Sequence, residues 1–119
     1  MIRALALVLG LVFAAPLAAQ QTSTGPGAVL RVLDKVSGQA VDMQLAAGRS
    51  GSFGRLTIML RECRYPAGNP SGNAYAALEI SEKDRAKVAF SGWMIASAPA
   101  LSAMDHPRYD VWVMRCTTS

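Results

Sequence analysis

The chain has 119 residues and a formal net charge of +4, with a single histidine and two cysteines. That length holds one domain, and a basic excess this small and scattered excludes a nucleic-acid-binding footprint. One imidazole excludes a metal site built on histidines, so neither a metal nor any other cofactor is expected.

In chain order, Met1-Ile2-Arg3 is a short positive start, Ala4 to Ala15 is an apolar run broken by Gly10, and Pro16-Leu17-Ala18-Ala19 supplies small residues. This is the three-part plan of a secretory signal peptide, with cleavage expected after Ala19. The apolar run is short of the roughly 20 residues that span a bilayer, so no membrane span is expected after cleavage. No cysteine lies near the site to carry a lipid. The expected address is periplasmic, or secreted.

Residues 20–27, rich in Thr, Ser, Gly and Pro, read as a flexible lead-in, and residues 28–119 as a single β-rich domain. Val29 to Asp34 predicts a strand, Ser37-Gly38 a turn and Ala40 to Ala46 a second strand. Gly48 to Gly54 carries three glycines and reads as a loop. Arg55 to Arg64 is the clearest strand, with Leu56, Ile58 and Leu60 on one face and Thr57, Met59, Arg61 and Cys63 on the other.

Pro66 to Asn73 predicts an irregular loop, Ala74 to Ile80 a strand, Ser81 to Lys87 a charged turn and Val88 to Ile95 another strand. In Ala96 to Pro107 neither period fits, although a helical turn can start at Pro99, where a missing N–H costs nothing. Tyr109 to Cys116 is apolar on both faces, which predicts a strand in the middle of the fold, buried on two sides. Short strands at intervals of about ten residues, without a helical period, predict an all-β fold, a small antiparallel sandwich or barrel.

Cys63 and Cys116 are an even pair in an oxidising compartment, too far apart for a CxxC motif, and predict a structural disulfide. If both strands were regular to their ends, Met59, Arg61 and Cys63 would share a side with Trp112, Met114 and Cys116. Arg61 would then approach the Trp112 indole, a cation–π contact worth about 0.5 to 1 kcal/mol.

Catalytic chemistry has few candidates. His106 would need a nucleophile and an orienting acid, and Ser91, Ser97 and Ser102 lie in no nucleophile motif; a turn residue bonding its own loop is the better expectation. Glu79 and Glu82 flank a charged turn and suggest no buried pair. Gly48, Gly51 and Gly54 lack the Lys-Ser/Thr pair and the following helix of a phosphate loop. No enzyme is expected. What remains is an interaction surface, with Arg61, Trp93, Pro99, His106, Tyr109 and Trp112 as its candidates and an unknown protein of the cell envelope as partner. A small-ligand or glycan site using Trp112 and Arg61 is the alternative.

The strings Phe53-Gly54-Arg55-Leu56, Arg61-Glu62-Cys63, Phe90-Ser91-Gly92-Trp93-Met94, Pro99-Ala100-Leu101 and His106-Pro107-Arg108-Tyr109-Asp110-Val111-Trp112-Val113 with Cys116 resemble the exported alphaproteobacterial family catalogued as "domain of unknown function 2155". The resemblance covers nearly the whole mature chain. It implies an envelope address and no assigned activity. It also implies one further role, a periplasmic accessory or assembly factor of a membrane respiratory complex, complex I.

Overall fold

The computed structural model describes residue 10 and residues 21–118. Apart from Gly10, the predicted signal peptide over residues 1–19 lies outside the described residues. The described chain forms β1 (Thr22–Gly25), β2 (Gly27–Asp34), β3 (Ala40–Ala46), β4 (Ser50–Phe53), β5 (Leu56–Pro66), β6 (Tyr75–Glu82), β7 (Phe90–Ile95), a 3-10 turn (Pro99–Ser102) and β8 (Tyr109–Thr117).

All ladders are antiparallel. The larger sheet runs β1-β5-β6-β7, with β4 also paired to β5, and the smaller runs β3-β2-β8. β5 is long enough to take β4 along its first half and β1 along its last. No helix among the described residues is long and apolar enough to cross a membrane.

The sandwich follows from period-two patterning. Leu56, Ile58 and Leu60 on β5, with Leu78 and Ile80 on β6, are fully buried and face Ala28, Leu30 and Val32 of β2 and Val111 and Val113 of β8 in one apolar cluster. Each such leucine contributes about 1.5 to 3 kcal/mol by leaving water. Met104 seals the cluster from the loop after the 3-10 turn.

Several expectations are corrected. The segment read as a flexible lead-in contains β1, because its main chain pairs with residues 63–66 of β5. The glycine-rich stretch read as a loop contains β4, which pairs with residues 56–59; Gly51 lies there against the side chains of Met43 and Leu45. β8 is not central: it ends the smaller sheet, and only one of its faces is buried.

The largest correction concerns the cysteines. The β5–β6 register shifts between Leu60 and Glu62, leaving Arg61 as the extra residue. The β2–β8 register shifts between Val29 and Leu30, leaving Met114 as the extra residue opposite. Each bulge inverts the alternation beyond it. Cys63 and Cys116 therefore turn inward, away from Arg61, Met59, Trp112 and Met114, and the expected Arg61–Trp112 contact does not form.

The two sulfurs are bonded, with the Cα atoms 5.7 Å apart, so one bridge ties the larger sheet to the smaller. Both half-cystines are buried. For a sequence separation of 53, loop-closure entropy gives an upper bound of about 4 kcal/mol. Replacing both cysteines by alanine is expected to lower unfolding stability by up to that amount, read as a fall in the urea midpoint; a midpoint equal to the parent's would show that the bridge adds nothing.

Candidate functional site

The end of the sandwich away from the disulfide carries a cluster of paired charges. β2 ends at Asp34, a carboxylate only 6% exposed. One of its oxygens accepts from the backbone N–H groups of Val36 (2.9 Å) and Ser37 (3.3 Å), an Asx turn that launches the β2–β3 hairpin. Arg108, just before β8, donates to it from Nε and from a terminal nitrogen, at 3.3 and 3.0 Å. The guanidinium, aided by the two backbone N–H groups, holds the Asp34 carboxyl down at about 2.

Beside this pair, His106 occupies the loop before β8. Its Nδ1 accepts from the backbone N–H groups of Arg108 (3.0 Å) and Tyr109 (3.1 Å). That leaves Nε2 to donate to the Glu82 carboxylate at 2.9 Å. The hydrogen bond from His106 lowers the Glu82 pKa. Arg55 approaches the other Glu82 oxygen at 3.7 Å and donates to the carbonyl of Lys83 at 2.8 Å.

Tyr109 roots the assembly in the core. It is 1% exposed, and its hydroxyl accepts from the N–H of Arg55 at 3.1 Å. Gly54, at φ +56°, lies so close that a Cβ there would overlap that hydroxyl. Phe53 meets the Tyr109 ring edge-on at 6.1 Å, and the Arg108 guanidinium lies over it at 5.1 Å.

The expected interaction surface is therefore corrected at two positions. Tyr109 faces the core, and the His106 side chain is 11% exposed. Both imidazole nitrogens take part in hydrogen bonds within the fold. The ring holds the loop before β8 to the end of β6. Among the described residues, no group of three His, Cys, Asp or Glu side chains is placed to hold a metal ion.

The other candidates fall on two separate surfaces. On the outer face of the larger sheet, Trp93 of β7 is 42% exposed, with the Arg64 guanidinium 5.6 Å from its ring centroid. Arg64 pairs with Glu62 at 3.2 Å, and Arg61 pairs with Glu79. On the smaller sheet, Trp112 and Pro99 line a recess of about 310 Å³ together with Ala100, Ala103, Asp110 and Val111. Arg61 and Trp112 sit on different sheets, so the expected glycan site using both does not assemble. The two indoles likewise form no common stacking platform.

The polar cluster was missed by sequence reasoning. An aspartate two and three residues before Val36 and Ser37 is a recognisable Asx-turn signal; Arg108 and Glu82 meet their partners only through the fold.

The family described as "Uncharacterized protein conserved in bacteria (DUF2155)" matches residues 28–116. This chain belongs to that family. The DUF2155 match runs from β2 to Cys116 in β8, so the disulfide and the polar cluster lie within it, whereas β1 precedes it. An uncharacterized protein of Rickettsia prowazekii (strain Madrid E), RP359, is 28% identical over 87 residues, 71% of this chain. The chain spans 56% of that relative's length. The family match and this relative are consistent with the resemblance seen in the sequence. No solved structure matches.

Two outcomes follow from the cluster. The depressed Asp34 pKa means that its ionised form is favoured by the fold, so its contribution is present above about pH 4 and is lost as the pH falls towards 2. Asp34→Asn is expected to lower stability at neutral pH and to flatten the loss between pH 4 and 2, measured by urea unfolding across that range. An equally steep acid limb would contradict the assignment. His106→Ala strands two backbone donors and is expected to cost about 1 to 3 kcal/mol in thermal unfolding.

Proposed function

We propose that this chain is an exported, non-catalytic docking module of the bacterial cell envelope that works through the outer face of its larger sheet. The observation that carries the reading is Trp93, 42% exposed on a flat strand face beneath the Arg64 guanidinium. An exposed indole costs solvation that a partner would recover, and tryptophan and arginine are among the residues enriched at the energetic centre of protein interfaces. Arg61 and Arg64 are each held by a carboxylate on the same face, which fixes the guanidinium planes before any partner arrives. Such fixing lowers the ordering cost of association.

The envelope address rests on the N-terminal segment, with its positive start, apolar run and small-residue site. The cross-sheet disulfide supports it, because such bridges persist in oxidising compartments. The non-catalytic part of the reading is supported by His106, whose two nitrogens are both given to structural hydrogen bonds.

Site-specific photocrosslinking in cells tests the proposal. A photoreactive residue at position 93 is expected to give a discrete adduct that weakens when Arg64 is changed to alanine. The same residue at Val36, a hairpin position 76% exposed, supplies the control. Identical patterns from positions 93 and 36 would remove the basis for docking at this face.

A further inference from the structure

The edge of the smaller sheet presents a second surface with chemistry of its own. β8 pairs with β2 on one side only. Among the described residues, no loop main chain bonds to its far side between Asp110 and Thr117. A free edge of that length is a template for another extended chain, and proteins that leave one open must cover it, blunt it or use it.

Beside this edge, the 3-10 turn and β8 form the recess that holds Pro99, Ala103, Asp110 and Trp112. Most of its wall is apolar, but it includes one carboxylate. Asp110 is half-buried and has no hydrogen-bond or ion-pair partner among the described residues. The arginine nearest in register, Arg31 opposite Trp112, is already committed to Asp42 at 2.7 and 3.1 Å. A carboxylate without a partner, set in a largely apolar wall, is the charge that a cation entering the recess would meet. Two residues along the same strand, the Trp112 indole offers the electron-rich face that ammonium and guanidinium groups favour.

We propose that this recess takes a lysine or arginine side chain, presented by an extended segment of a partner polypeptide that pairs with the free edge of β8. The carboxylate of Asp110 receives the charge, the Trp112 indole and the Pro99 ring cover the aliphatic stem, and the β8 main chain fixes the register. The inference goes beyond the docking reading: it names a partner chemistry at a second site, on the opposite sheet, and does not depend on Trp93.

A peptide titration of the full chain tests it. In a Trp93→Phe background, Trp112 is the only remaining indole. An acetylated and amidated Val-Thr-Lys-Val-Thr peptide is expected to give a saturable change in Trp112 emission, with amide shifts confined to residues 99–103 and 110–117. Replacing the peptide's lysine by norleucine, or Asp110 by asparagine, is expected to weaken the response by about tenfold. Equal responses to the lysine and norleucine peptides, an unchanged response in Asp110→Asn with a parent-like melting temperature, or no saturable response would each overturn the proposal. None of those results touches crosslinking at position 93, so the two readings fail separately.

Discussion

The structure depends on two inserted residues. Arg61 in β5 and Met114 in β8 each break the strand alternation once, and only because both do so can Cys63 and Cys116 meet across the sandwich. One bulge without the other would leave a sulfur pointing at solvent and its intended partner in the core. Pairing β1 with β5 then places Gly25 opposite Cys63, where a Cβ would press on the Cys116 side chain at 3.2 Å. The bridge is closely packed for that reason, and glycine is the residue that fits beside it.

The far end of the sandwich is closed differently. There the junctions between strands are held by a buried carboxylate, an imidazole with both nitrogens used and a tyrosine hydroxyl beneath a glycine. Removing one partner from such a network exposes the others to an unmet desolvation cost. A covalent tie at one end and a hydrogen-bonded clasp at the other account for a stable two-sheet sandwich in a chain this short. They also account for which polar groups are occupied by the fold, and therefore for which are left to meet a partner.

Much of the fold was legible in the sequence because period-two patterning is local. The alternation of Leu56, Ile58 and Leu60 marked β5, and the proline at position 99 marked the helical turn. What failed was non-local. β1 and β4 are short and poor in apolar residues, and they exist only because the long β5 offers them an edge. The bulges carry no composition signal at Arg61 or Met114, so strict alternation put both cysteines on the wrong face. Of the candidate site, the sequence named Trp93, Pro99 and Trp112 but could not separate them from His106 and Tyr109, since aromatic and polar residues near a turn look alike whether they face water or the core. Asp110 stood out in the sequence only as part of the family string, because an unpaired carboxylate is recognisable only when its surroundings are known.

The path of β1 and β8 has an effect on orientation. The chain enters at Thr22, opposite Pro66, and leaves at Thr117, opposite Gly27, so entry and exit both lie at the sulfur-bridged end. Both connections of the unit to the rest of a chain are thus made from one pole. The turns around Lys35, Gly54, Asp84 and Asp105 project from the other pole, as the tip of a post fixed at its base, and remain accessible however the post is mounted.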